Sequence, residues 1–147
     1  MERFIRRGDI YFIARGYAVG SEQYGGRPGI VVSNNLNNRY SPTLEVVLLT
    51  TREKKPLPTH VPIYSAKYPS TALCEQIMTV SIERVESYIG TLTESEMEAV
   101  DQALMVSIDL KREQINDATL CKGRRSGENR GFSDREYVAN MYRTFTR

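Results

Sequence analysis

The feature that most constrains this chain is a switch of hydrophobic period near Thr93. Before it, short segments rich in β-branched and aromatic residues are separated by polar or glycine-bearing turns. After it, Met97, Val100, Leu104 and Ile108 recur every three or four residues, opposite Glu94, Glu98, Asp101 and Asp109. Thr93, followed three positions later by Glu96, forms a capping box, and Leu92 is placed to staple onto Met97. The pattern predicts a small, strongly bent sheet or barrel with one amphipathic helix packed on it.

Strands are predicted at Gly8 to Ala14, Pro28 to Ser33 and Leu44 to Thr51, the last buried on both faces by its run Val46 to Leu49. Asn34 to Pro42 reads as a turn-rich connection. Arg52 to Pro56 is a charged loop leading to Thr59 to Tyr64, where Pro62 marks an edge strand. Two shorter strands are expected at Leu73 to Val80 and Tyr88 to Leu92. Beyond Lys111 the composition turns polar, and Lys122 to Gly131 reads as a linker. A second capping box, Ser133 with Glu136, then opens a short helix with Tyr137, Met141 and Phe145 on one face. The expected organisation is a domain over residues 1–110 and a basic extension over 111–147.

Charge follows the same division. Residues 1–82 sum to +4, residues 83–110 to −6 and residues 111–147 to +4. The acidic block is then the solvated side of the helix, and the basic remainder is free to face a polyanion or simply to keep the chain in solution.

Several classes are excluded. No uninterrupted apolar stretch approaches the roughly 18 residues of a membrane span, and the N-terminal segment lacks the pattern of a secretion signal. A cytoplasmic location is the expectation. Cys74 and Cys121 form neither a disulfide framework nor a Cys-x-x-Cys pair, and the single His60 argues against zinc and against a two-imidazole mechanism. Neither metal nor cofactor is expected.

The residues able to handle a phosphate are few. Arg27 follows Gly25 and Gly26, which let the backbone turn tightly, and precedes Pro28, which fixes where the strand begins. Its planar fork can grip a phosphate, although an arginine at a strand start can equally be a surface or ion-pair residue. Thr50 and Thr51 end the third strand, where a hydroxyl can donate to a phosphate oxygen or merely fill a sheet position. Glu75 interrupts an otherwise apolar strand and must find a partner or shift its pKa. It reads as a proton acceptor or as the salt-bridge partner of Arg27 or Arg39. His60 can titrate near neutrality, or stand as a structural strand-end histidine. Arg52, Lys54 and Lys55 would make nonspecific contacts to a phosphate backbone. Tyr11, Tyr24, Tyr40 and Tyr64 could stack on bases, with some of them belonging to the core.

Taken together, Arg7-Gly8-Asp9-Ile10-Tyr11, Gly20-Ser21-Glu22-Gln23, Gly26-Arg27-Pro28 and Val32-Ser33-Asn34 form an ordered string that resembles the MazF/PemK toxin family. Asn38-Arg39-Tyr40-Ser41-Pro42-Thr43, Leu57-Pro58-Thr59-His60-Val61, and Glu75-Gln76 with Thr79 match in the same order. The resemblance covers about residues 6 to 110. It implies a mainly β fold, an SH3-like, CcdB/PemK-type barrel with a closing helix, working as a homodimer. It further implies a toxin that cuts single-stranded RNA without metal, leaving a 2′,3′-cyclic phosphate and a 5′-hydroxyl, and is blocked by a cognate antitoxin with which it binds DNA. By position, Arg27 and Thr50 carry catalysis, with Glu75 a further candidate. Ser21, Glu22, Gln23, Tyr24, Asn38, Arg39, Arg52, Lys54, Lys55, His60 and Gln76 are the implied RNA-binding residues. Two positions depart from the pattern, because Leu73 and Met78 stand where relatives carry arginine. They keep a second expectation open, that of a non-catalytic binding protein on the same scaffold, like the gyrase poisons.

Overall fold

The computed structural model describes residues 4–14 and 26–111. These form β1 (Asp9–Ile13), β2 (Arg27–Val31), α1 (Asn35–Tyr40), β3 (Thr43–Thr50), β4 (His60–Ile63), β5 (Ser70–Ser81), a single 3-10 turn (Ile82–Arg84), β6 (Val85–Thr91) and α2 (Glu94–Ser107). All six strands join one antiparallel sheet in the order β4-β5-β3-β2-β1-β6. The fold class is the expected one, with the sheet open: β4 and β6 are its two edges and do not pair with each other. Pro62 lies on an edge strand as read, since its missing N–H costs no ladder bond there. Among the described residues no helix is long and apolar enough to cross a membrane.

Alternation along the strands divides the buried residues into two clusters. Ile10, Ile30, Val47, Leu49, Val61, Ile63, Ala72 and Cys74 point to one face, where Leu92, Val100 and Ala103 from α2 and its approach cover them. Tyr11, Ile13, Val31, Leu44, Val46, Leu48 and Val80 form the cluster on the opposite face. This is why β3 reads as continuously apolar. Each fully buried Val or Leu on the helix side contributes roughly 1.5–3 kcal/mol.

The capping box forms as expected. The Thr93 hydroxyl accepts from the Glu96 N–H at 3.2 Å, and the Glu96 carboxylate accepts from the Thr93 N–H at 2.9 Å. Leu92 and Met97 pack in the same cluster, consistent with the staple. Glu96 does more than cap its helix. Its other oxygen accepts from the N–H groups of Tyr64 at 2.7 Å and Ser65 at 3.1 Å, while the Ser65 hydroxyl donates to the capping oxygen. Partial burial raises its pKa, but these donors outweigh burial and lower it to about 2.

Two segments differ from the sequence reading. Asn34 to Pro42 contains α1 rather than only turns, with Asn34 as N-cap, its side chain accepting from the Asn37 N–H at 2.8 Å. Asparagine favours both turns and N-caps through that same local hydrogen bond, so composition alone does not separate the two. The fifth strand is the longest rather than a short one, with twelve residues. Its pairing with β3 jumps from Val47–Ile77 to Leu49–Ala72. Leu73 to Gln76 therefore oppose Leu48 alone, a bulge that bends the strand between its β3 and β4 partners.

The Arg7-Gly8-Asp9 motif proves to be architectural. The Arg7 guanidinium pairs with Asp101 of α2 at 2.6 Å and donates to the Val32 carbonyl at 2.9 Å. Gly8 has φ +88°, where a side chain would be strained. Asp9 is fully buried, accepting from the Arg6 N–H at 3.1 Å and the Thr91 hydroxyl at 2.7 Å. The extension over 111–147, with the helix expected from Ser133, lies outside the described residues apart from Lys111.

Candidate active site

One cross-strand row organises the site. Val85 of β6 pairs with Ile13 of β1, Ile13 with Arg27 of β2, Thr50 of β3 with Thr71 of β5, and Thr71 with Pro62 of β4. The β2–β3 ladder sets Gly29 against Leu48, Ile30 against Val47 and Val31 against Val46. Continued by two residues, this register brings Arg27 across from Thr50. Both lie on the face of Val31, Leu48 and Ile13, away from α2. Arg27 opens β2 and Thr50 closes β3, so the segments preceding the one and following the other leave the sheet at the same end.

Local sequence explains both positions. A Cβ on Gly26 would lie 2.7 Å from the ring of Phe12. That glycine therefore serves a close approach to Phe12, which lets the chain enter β2 directly before Arg27. Pro28 follows on the strand. Thr50 is 3 % exposed, and its hydroxyl oxygen accepts from the Arg52 N–H at 3.2 Å, turning the chain into the charged loop. That bond occupies a lone pair and leaves the hydroxyl proton for another acceptor. Arg52, Lys54 and Lys55 are exposed on this loop, adding positive charge beside the row.

Glu75, open in the sequence to a proton-acceptor role or to pairing with Arg27 or Arg39, finds its partner in a histidine. It is exposed on the bulge, and its partner is His60, with Nε2 to Oε1 at 2.9 Å. Partial desolvation raises the Glu75 pKa, but hydrogen bonds from its own backbone, His60 and Thr59 outweigh this and hold the carboxyl below its ordinary range. It stands four residues along β5 from Thr71, the neighbour of Thr50. His60 is the strand-end histidine, with its other ring nitrogen 2.8 Å from the Lys55 carbonyl oxygen. Cys74, between Leu73 and Glu75, is buried; desolvation, then the adjacent Glu75 charge, pushes its thiol up to about 12.

The remaining expected contacts separate. Asn38 is 5 % exposed; its amide donates to the Ser33 carbonyl at 2.9 Å and its oxygen accepts from the Ser33 hydroxyl, so it braces α1 against the sheet rather than offering itself to a ligand. Arg39 is exposed, with its guanidinium 6.0 Å from the ring centre of Phe4 and 5.4 Å from that of Tyr40. With Phe4, Glu86 and Tyr88 it borders an open groove of about 640 Å³. Gln76 is half-buried beside Glu75. Tyr11 belongs to the core, edge-on to Tyr88 at 5.5 Å, whereas Tyr64 is 73 % exposed. Ser21, Glu22, Gln23 and Tyr24 lie outside the described residues.

Leu73 is 1 % exposed and Met78 packs against the second core cluster. Leu73 is thus an interior position and Met78 a half-buried one, so the arginine missing at Leu73 does not mark a gap in an exposed phosphate-binding wall. The support Leu73 lent to a non-catalytic reading goes with that. Thr71 was not singled out in the sequence; only the β3–β5 register, a long-range property, places it beside Thr50.

Comparison with known proteins shows the family and the fold. Residues 6–108 match the model of the PemK-like, MazF-like toxins of type II toxin-antitoxin systems. Endoribonuclease EndoA of Bacillus subtilis (strain 168) is 41 % identical over 111 residues, covering 72 % of this chain and 96 % of the relative. Among solved structures, an endoribonuclease in complex with its cognate antitoxin from a mycobacterial species aligns with a TM-score of 0.64 at 28 % identity, covering 73 % of this chain and 97 % of that one. MazF from Deinococcus radiodurans aligns at 0.66 and 18 % identity, over 74 % of this chain and all of the other, which speaks for the fold.

Proposed function

The chain belongs to the PemK-like, MazF-like toxin family of type II toxin-antitoxin systems, and from that premise we propose that it is an endoribonuclease cutting single-stranded RNA across the Arg27–Thr50 row. The observation carrying this reading is the β2–β3 register, which, extended by two residues, sets Arg27 across from Thr50 at one end of the sheet, beside a loop bearing Arg52, Lys54 and Lys55.

The reaction is attack of a ribose 2′-hydroxyl on the adjacent phosphorus. The P–O bond to the 5′-oxygen breaks, giving a 2′,3′-cyclic phosphate and a 5′-hydroxyl. The barrier lies in charge accumulating on the phosphorane oxygens. Arg27 stabilises that charge; its guanidinium does not deprotonate, so it acts by electrostatics and hydrogen bonding rather than as a base. The Thr50 hydroxyl, held by the Arg52 N–H, donates to a non-bridging oxygen and fixes the phosphate beside Arg27. The basic loop holds the flanking backbone in the salt-sensitive manner of phosphate contacts.

In this reading residues 1–110 are the catalytic domain, acting in the cytoplasm as a homodimer, and the extension over 111–147 adds affinity for RNA or partner. A cognate antitoxin, as in the mycobacterial complex, occludes the site. Incubation of the protein with a long unstructured RNA in EDTA should release fragments with 5′-hydroxyl ends. Arg27→Ala should lower kcat roughly 10²–10³-fold, the usual cost of losing one preorganised oxyanion donor. Equal cleavage by the two proteins would remove Arg27 from the mechanism.

A further inference from the structure

His60 lies where three parts of the molecule meet. It is the first residue of β4, its ring reaches back to the Lys55 carbonyl in the loop before it, and it reaches across to Glu75 on the β5 bulge. Both neighbours are acceptors. The carbonyl oxygen can only accept, and the ionised carboxylate can only accept. A neutral imidazole carries one N–H and satisfies one of them; the imidazolium carries two and satisfies both. The His60 side chain is 10 % exposed, so its ring nitrogens meet little water, while Glu75 and Lys55 are exposed.

The anchored loop is the one that carries Arg52, Lys54 and Lys55. Its start is tied by Arg52 N–H to Thr50, and its end by the His60 N–H to the Leu57 carbonyl at 3.0 Å. Between these points residues Glu53 to Pro58 are exposed, and the His60 ring holds their middle at the Lys55 carbonyl.

The other charges around the ring are accounted for. Glu75 faces Nε2 from β5, and Arg52, Glu53, Lys54 and Lys55 are exposed on the loop itself. On α2, which packs against β4, the Glu96 carboxylate is committed to Tyr64, Ser65 and the helix cap at the other end of the strand.

We propose that His60, in its doubly protonated form and held by Glu75, is a positioning residue that clamps the basic loop in its RNA-binding course, so that affinity for RNA falls as the ring loses a proton. The idea rests on the RNA-cutting reading above. It assigns His60 a place in substrate binding without contact to RNA, because both its ring nitrogens are already spent on the protein.

Glu75→Gln separates this from a merely structural role. A glutamine amide donates to a neutral Nε2 while Nδ1–H still donates to Lys55, so the variant keeps both bonds without the second proton. For the full-length protein, KM for a short RNA should rise roughly threefold to tenfold from acid to alkaline pH, as expected when one partly exposed, charge-assisted hydrogen bond is lost. In Glu75→Gln the KM should be nearly flat, and in His60→Ala high at every pH. A readout independent of cleavage comes from ring ¹⁵N NMR, unambiguous because His60 is the chain's single histidine, with hydrogen exchange of the 51–59 amides alongside. Both ring nitrogens should be protonated at low pH, and exchange in the loop should accelerate as one proton leaves. A ring with one bare nitrogen at low pH, loop exchange indifferent to ring protonation, or an unchanged KM profile in Glu75→Gln would overturn the proposal. If the NMR and exchange results hold while no RNA is cut, the fault lies with the RNA-cutting reading instead.

Discussion

Arg27 opens β2 opposite the position where Thr50 closes β3, the two joined by a register that begins with Gly29 across from Leu48. Extended by two residues, that register sets a long cation and a short hydroxyl at one end of the sheet on a single face.

In the proposed mechanism Thr50 serves both chemistry and fold, and substitution can separate the two. Thr50→Ser keeps the hydroxyl and should retain most activity. Thr50→Val keeps the shape, loses the bond to the Arg52 N–H, and should cost about 1 kcal/mol of stability together with at least a tenfold loss of kcat. Urea melts beside single-turnover RNA cleavage check both.

Leu73 tests whether the missing arginine is a lost function. Because this side chain is buried, Leu73→Arg should not raise activity; it should destabilise by about 3 kcal/mol or more, the penalty for an unpaired charge in the interior. A drop in Tm with no gain in cleavage is the expected result.

Glu96 ties the end of β4 to the start of α2. Its folded pKa, about 2, lies below the ordinary 4.5. Its contribution is therefore present above the ordinary value and is lost as pH falls from about 4.5 toward 2. Glu96→Gln should lower stability near neutral pH and flatten that acid limb. Chemical denaturation from pH 7 to pH 2.5 reads both effects.

Cys74 should be inert. With its thiol pushed up to about 12 inside the core, it should resist iodoacetamide at pH 8 in the folded protein and react only in denaturant. A Cys121→Ser background isolates its signal by mass spectrometry.

The sequence by itself determined the elements whose causes are local. The capping box at Thr93 and Glu96, the edge strand marked by Pro62 and the two-sided burial of Val46 to Leu49 follow from residues a few positions apart. The ordered motifs likewise carried the family and singled out Arg27 and Thr50. α1 escaped because asparagine caps helices with the same bond by which it makes turns. Only the tertiary structure decided what depends on distant partners: that β5 bulges over Leu73 to Gln76, that Glu75 meets His60 rather than an arginine, that Asn38 and Leu73 face inward, and that Thr71 stands beside Thr50. A carboxylate or an amide announces that it needs a partner, but strand register, fixed by the packing of two faces at once, chooses which partner it receives.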